Sequence, residues 1–198
     1  MIDYDRLAAL CPVADEGLRR AGRGLSEMAG VPIETTAARV RRLPLAAVPN
    51  LVGGPDVVVA GVYLAIKGRV EGHMLLMLSV VDACELVDML LELPMGTTTE
   101  LDELGYSALG EVGNVVGSFF LAALADATAL RLLPSPTSTI VDMSGAILDV
   151  VLAELSVEGD EVLVIDTVFT QRQQRVNAFF LVLPRQCSLD VILGSLPC

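Results

Sequence analysis

The chain has 198 residues, of which 53% are hydrophobic and 19% are charged, and its formal net charge is −12. This composition is too apolar for intrinsic disorder, and the length suits one domain or two small fused halves. The acidic balance disfavours binding to nucleic acid, which needs clustered Lys and Arg, and to an anionic membrane surface. Residues 1–99 carry 9 basic and 12 acidic side chains and residues 100–198 carry 4 and 13. The acidic second half is either a solvated surface that gives solubility or the half to which electrostatics would draw a basic partner.

Targeting and redox signals are weak. No apolar run approaches the ~20 residues of a membrane span, and the N-terminus lacks the basic and long apolar regions of a signal peptide. The four cysteines form no CxxC pair and are interpreted as reduced thiols of a cytoplasmic protein; they are Cys11, Cys84, Cys187 and Cys198. The single histidine, His73, lies in the apolar run GHMLLML and is interpreted as structural, so metal sites built on several His are excluded.

The elements, taken in chain order, repeat with a period near 100 residues. The first half predicts a helix over 14–29, strands over 33–43, 57–66 and 69–79, and a helix over 81–93. The second half predicts a helix over 101–125, a second helix over 144–154, strands over 161–170 and 175–184, and a final helix over 188–196. Turn residues at 53–55 and 94–97 mark the clearest breaks.

We therefore predict a single α+β domain over 1–198, with halves 1–97 and 98–198 related by pseudo-two-fold symmetry. Each half contributes helix, strand, hairpin and helix, and both share one antiparallel-rich sheet packed against long helices.

The helix over 101–125 is the most informative segment. Thr98 or Thr99 is expected to cap it, with Asp102 and Glu103 in its first turn. Apolar residues at helical spacing predict one buried face, formed by Leu109, Val112, Val116, Phe119, Phe120 and Ala123. Polar residues spaced by four, three and four predict one surface stripe, formed by Ser107, Glu111, Asn114 and Ser118.

Three glycines run beside this stripe, namely Gly110, Gly113 and Gly117. A glycine inside a helix costs about 1 kcal/mol relative to alanine, so three of them need an offsetting contact. Either the helix packs closely against another element of the fold, or a partner protein approaches the stripe closely.

The segment from Ser107 to Pro136 resembles the active-site signature of the CheC-type chemotaxis phosphatases, which include CheX-like and FliY-like proteins. That signature has Asp or Ser, three residues, Glu, two residues, Asn, and a Pro about two dozen residues later; here it is S-ALG-E-VG-N followed by PSP. The resemblance extends over most of the chain. The proline spacing departs by one residue, so Thr137 occupies the expected place.

The duplicate site that this family has in its first half is lost here. Pro12 and Asp15 stand where Glu and Asn are expected, and Arg19, Arg20 and Arg23 replace small residues nearby. A proline at that place is expected only at the beginning of a helix, and an aspartate lacks the amide. The resemblance therefore implies at most one working site, in the second half.

The resemblance implies hydrolysis of the aspartyl-phosphate of a CheY-type response regulator. Asn114 would hold the attacking water and Glu111 would pair with the regulator's lysine, while the regulator supplies Mg²⁺, so the phosphatase needs no cofactor of its own. The residues expected to contact the partner are Ser107, Gly110, Gly113, Gly117 and Ser118, with Ser107 alternatively a mere filler of the stripe. The absence of a nucleophile–base pair argues against a covalent mechanism.

Two alternatives stay open. The same fold serves in flagellar-switch components and in proteins that bind the deamidase CheD, so the chain is alternatively a non-catalytic adaptor. An unrelated metabolic enzyme has no support, because the sequence contains no GxGxxG after a strand, no Walker A, no HExxH and no GxSxG.

Overall fold

Helices and strands follow each other in an order that repeats once along the chain. The computed structural model describes residues 4–154 and 161–196. Its helices are α1 (Tyr4–Ala29), α2 (Val80–Leu90), α3 (Glu103–Thr128), α4 (Ser144–Glu154) and α5 (Gln186–Ser195), and a 3₁₀ helix covers Leu45–Val52. Its strands are β1 (Glu34–Pro44), β2 (Val58–Gly68), β3 (Gly72–Ser79), β4 (Leu132–Pro134), β5 (Ser138–Met143), β6 (Glu161–Gln171) and β7 (Gln174–Pro184).

Within the described residues, the strands form one sheet in the order β1-β6-β7-β3-β2-β4, and β5 also pairs with β2. Every pairing is antiparallel. β4 pairs with the end of β2 and β5 with its beginning, so the two form one interrupted edge strand. Exchanging the halves maps β3 onto β7, β2 onto β6, and β1 onto β4 and β5. The predicted α+β fold with two similar halves sharing one sheet is therefore confirmed.

Helices cover both faces of this sheet. α1 and α3 pack on the face where Val62 and Met74 are fully buried. The 3₁₀ helix and α4 pack on the opposite face, where Leu75 and Met77 are fully buried. Successive residues of β3 thus enter two different cores, and this explains its unbroken apolar run instead of an alternating pattern.

Helix α1 is longer than predicted, because it begins at Tyr4 and continues through Pro12. The expectation that a proline there begins a helix was wrong. Proline removes one backbone donor, which leaves the carbonyl of Ala8 without its usual helical partner. Both Ala8 and Pro12 are exposed, so water can satisfy that carbonyl and the helix continues.

Helix α3 lies partly inside the fold. Among the described residues it is the one helix long and apolar enough, by length and composition only, to cross a membrane. Half of its most apolar 18-residue window is buried in the fold. Its apolar side chains belong to the core between α1 and the sheet, for example Val116 and Phe120, whose ring meets that of Phe180 edge to face at 5.2 Å.

Candidate functional site

The start of α3 is fixed by residues that the sequence pattern did not single out for this purpose. Asp102 caps the helix by accepting a hydrogen bond from the Gly105 amide at 2.8 Å, so the expected cap at Thr98 or Thr99 was wrong. Thr98 is engaged elsewhere, because its amide and hydroxyl both donate to the buried carboxylate of Asp88, at 3.0 and 2.6 Å. Asp88 thereby holds the connection that leads into α3.

The inner side of α3 faces two neighbours. Leu109, Val112 and Val116 are fully buried in the core, as predicted. Phe119 is only half-buried, and it packs over Gly24 of α1, where an added Cβ would lie 2.8 Å from its ring. These contacts orient α3 so that the opposite side of the helix faces solvent.

The predicted polar stripe lies on that outer side. Glu111 and Ser107 are exposed, and Asn114 and Ser118 are half-buried. Glu111 and Asn114 are three residues apart, which places them about 4.5 Å apart along the helix axis and on adjacent parts of one face. Within the part of the chain that the structure describes, no hydrogen bond or ion pair occupies the Glu111 carboxylate or the Asn114 amide. Both groups are therefore available to another molecule.

Two of the three glycines do not lie on the outer side. Gly113 and Gly117 are buried, and a Cβ on Gly113 would lie 2.4 Å from Cγ1 of Val62 in β2. A Cβ on Gly117 would lie 2.7 Å from Cδ1 of Leu64, also in β2. These two glycines bring α3 close to the sheet, so the expectation that they contact a partner is wrong. Close packing within the fold is the explanation that applies to them.

Gly110 is different, because it is half-buried and lies between the stripe and the edge strand. A Cβ there would lie 3.3 Å from the Thr139 hydroxyl and 3.6 Å from the Thr137 hydroxyl. The segment that contains Pro136 and Thr137, singled out in the sequence signature, thus packs against α3 one turn from Asn114. This contact joins residues that are far apart in sequence, so local patterns did not predict it. The pairing of β4 and β5 with β2 brings the two segments together.

Helix α1 occupies the corresponding place in the first half. Both α1 and α3 have 26 residues, so Pro12 and Asp15 fall at the helix positions of Glu111 and Asn114. Both are exposed. Pro12 supplies no carboxylate where α3 has Glu111, and Asp15 supplies a carboxylate where α3 has the carboxamide of Asn114. The first half therefore lacks the pair, in agreement with the sequence analysis.

Ion pairs also distinguish the α1 surface. Arg19 pairs with Glu16, and Arg20 bridges Glu16 at 2.7 Å to Asp126 of α3 at 2.7 Å. Hydrogen bonds from Arg19 and Arg20 hold the pKa of Glu16 below its ordinary value. The hydrogen bond to Asp126, then that to Glu16, raises the pKa of Arg20.

His73 lies apart from this site. It is buried in β3, with a ring nitrogen 2.5 Å from the Tyr63 hydroxyl and its ring stacked on that of Tyr63. Its neighbour Leu75 two residues along faces the core on the opposite side of the sheet from α3. These contacts suit the structural role predicted for His73. Within residues 4–154 and 161–196, no group of three or more His, Cys, Asp or Glu side chains is arranged to hold a metal ion.

Comparison with solved structures defines the class of this protein. The fold matches Thermotoga maritima FliY with a TM-score of 0.77 at 16% identity, over 98% of this chain and 96% of FliY. It matches CheX in the CheX–CheY–BeF₃–Mg²⁺ complex of Borrelia burgdorferi with a TM-score of 0.52 at 18% identity, over 94% of this chain and 100% of the other. The molecule thus has the fold of FliY and CheX.

Comparison of sequences narrows the relationship. No protein-family model matches the chain. The chain is 29% identical to the CheY-P phosphatase CheC of Bacillus subtilis over 199 residues, covering 98% of this chain and 95% of the relative. This protein is therefore similar in sequence, over nearly its whole length, to a CheC-type CheY-P phosphatase.

Proposed function

We propose that this protein hydrolyses the aspartyl-phosphate of a CheY-type response regulator at the outer side of α3. The observation that carries the proposal is the Glu111–Asn114 pair, which stands at the solvent side of the helix with no partner among the described residues. Two similarities support it: the relative from B. subtilis is a CheY-P phosphatase, and the CheX of similar fold forms a complex with CheY.

In this mechanism Asn114 reaches the phosphoryl group of the docked regulator. Its carboxamide holds a water in line with the phosphorus, much as a glutamine orients water in GTPases. The water oxygen bonds to phosphorus, the bond between phosphorus and the aspartyl oxygen breaks, and the aspartate leaves as a carboxylate. The protons of the water leave with the phosphate product and the solvent. Positioning supplies the catalysis, so no nucleophile on this chain is needed.

Glu111 serves docking in this proposal. Its carboxylate pairs with the lysine of the regulator's active site and fixes the register in which Asn114 enters. The Mg²⁺ ion is the regulator's own and neutralises charge on the phosphoryl group. Ser107 and Ser118 flank the pair on the same stripe and contribute polar surface to the interface.

The test is the rate of phosphate loss from a phosphorylated CheY-type regulator, corrected for its spontaneous hydrolysis. Asn114→Ala should lower the accelerated rate by about 100-fold, the effect of removing one positioned polar group at a transition state. Glu111→Ala should lower kcat/KM by about 10-fold or more.

Matched controls are Asn50→Ala and Asp149→Ala, which truncate exposed side chains far from α3 on the other face of the sheet. Both should retain the unmodified protein's rate. If Asn114→Ala hydrolyses as fast as the unmodified protein, the catalytic proposal fails and a non-catalytic adaptor is the explanation that remains.

A further inference from the structure

The stretch of chain that contains α3 is acidic and has no basic side chain of its own. Residues 70–130 contain ten Asp and Glu and no Lys or Arg. This stretch includes α2, the connection to α3, and α3 itself. Glu100, Asp102, Glu103 and Glu111 are all exposed, and none of them forms an ion pair among the described residues. Their charges therefore face solvent, where a basic surface can neutralise them.

An apolar side chain lies among these acids. Leu104 is 57% exposed and stands seven positions before Glu111, which puts it on the same face of α3 two turns away. More than half of this side chain contacts solvent, so Leu104 is not part of the buried core of the described residues. Apolar anchors inside a polar rim are typical of interfaces between proteins.

The distance from Asn114 to Leu104 is within reach of a docked protein. Ten residues of helix span about 15 Å. A standard interface covers about 800 Å² on each partner, which corresponds to a radius of about 16 Å around its centre. A partner centred on Asn114 therefore covers Leu104 and Glu103 as well.

The other end of α3 has a different charge. Gly17 of α1 packs against Phe120 and Gly24 packs against Phe119, so α1 brings its arginines alongside the C-terminal half of α3. Arg20 reaches Asp126 there. The outer surface of α3 thus has unpaired acidic groups and an exposed leucine toward its N-terminus, and the Arg20–Asp126 ion pair toward its C-terminus. This unequal distribution gives a docked partner one favoured direction.

We propose that Leu104, with the acidic rim formed by Glu100, Glu103 and Glu111, is a second docking element for the phosphorylated response regulator. The surface of the regulator that it fits is apolar, bordered by Lys or Arg, and adjacent to the phosphoaspartate. This inference rests on the proposed function and adds to it a determinant of which regulator is accepted. Leu104 binds the regulator and takes no part in the chemical step.

The experiment measures KM and kcat for a phosphorylated CheY-type regulator, and Kd for the same regulator activated with beryllofluoride. Leu104→Ser should raise KM and Kd about fivefold or more and leave kcat within about twofold. Leu104→Met should have the KM of the unmodified protein, because methionine is apolar and has about the same volume as leucine. Val150→Ser is the matched control: Val150 is 56% exposed on α4, across the sheet, and its variant should keep the KM of the unmodified protein.

Charge is tested separately. Glu103→Lys should raise KM, and the increase should shrink as salt is added, since exposed charges are screened over about 10 Å at 0.1 M. An unchanged KM for Leu104→Ser, or a fall in kcat alone, overturns the docking element. Asn114→Ala, assayed in parallel, distinguishes the two proposals. If Asn114→Ala retains full activity, the proposed function fails. If Asn114→Ala loses activity and Leu104→Ser has a normal KM, only the docking element is rejected.

Discussion

Gly113 and Gly117 lack a side chain because β2 occupies the space where one would lie. Val62 is the closest neighbour of Gly113, and its branched side chain has few alternative rotamers. The two glycines lower the stability of the helix, and the close packing of α3 against the sheet offsets this loss. The distance between α3 and the sheet is set by residues next to Asn114 in sequence, and this fixes how far the carboxamide extends from the surface.

Gly113→Ala should therefore lower the free energy of unfolding. Overpacking a filled core typically costs about 1–3 kcal/mol, which exceeds the roughly 1 kcal/mol of helix propensity that alanine adds. Urea denaturation measures the difference. Gly194→Ala is the matched control, because Gly194 lies in α5 with nothing within 4 Å of an added Cβ, so it should be neutral or stabilising by up to about 1 kcal/mol. Equal stability of the two variants would show that Val62 and β2 shift at little cost to make room for the added methyl group.

At the level of whole elements, the sequence pattern predicted the five helices and five of the strands, but not the edge strands β4 and β5 or the 3₁₀ helix. The runs now seen as β2, β3, β6 and β7 were predicted because burial on both faces demands continuous apolar sequence. The polar stripe of α3 followed from spacing alone, whereas the missing pair in the first half followed from the resemblance to the family. The resemblance to a known signature, and not the spacing, gave Glu111 and Asn114 their proposed roles.

The misses share one cause, which is that the deciding partner is distant in sequence or is water. Pro12 is tolerated within α1 by solvent, and the cap of α3 shifts to Asp102 because Asp88 binds Thr98. The packing of Gly113 depends on Val62, about fifty residues earlier, which no local pattern contains. Sequence spacing identified the helix faces correctly, but it did not show which glycine faces which neighbour.

The connection between α2 and α3 supplies a second prediction. Asp88 is fully buried and accepts hydrogen bonds from the amides of Thr97 and Thr98, both at 3.0 Å, and from the Thr98 hydroxyl. Asp88→Asn would turn an NH₂ group toward one of these donors and leave it unsatisfied, so we expect a loss of about 2–4 kcal/mol in the free energy of unfolding. Thermal or urea unfolding measures this loss.

Asp149→Asn is the control for that measurement, because Asp149 is exposed on α4 and its substitution should change stability by less than about 0.5 kcal/mol. A similarly small effect for Asp88→Asn would mean that the connection is held by other contacts. The variant also reports on the site, because a loosened connection frees the first turn of α3, where Leu104 lies.

For the molecule as a whole, the chain has two similar halves, and the Glu111–Asn114 pair of the proposed function is present in one of them. α1 and α3 have equal lengths and pack against each other on one face of a shared sheet, yet Arg19 of α1 falls at the helix position of Ser118. The Mg²⁺ and lysine of a regulator would face an arginine on α1 and a small hydroxyl on α3. Like charges repel, so under the proposed function α1 would disfavour the regulator that binds α3.

One regulator should therefore bind each chain. Titration of the protein with a beryllofluoride-activated CheY-type regulator, followed by calorimetry, is expected to give a stoichiometry of one. Ser118→Arg places on α3 the residue that α1 has at that position, and it should weaken binding by about 10-fold or more through repulsion and bulk. Arg19→Ser is the reciprocal control and should leave both affinity and stoichiometry unchanged, since Pro12 and Asp15 still lack the required groups. A stoichiometry of two would contradict the exclusion of the regulator by α1. Equal binding by Ser118→Arg would mean that the regulator docks away from the stripe, because a partner centred on Asn114 has to cover Ser118 one turn further along the same face.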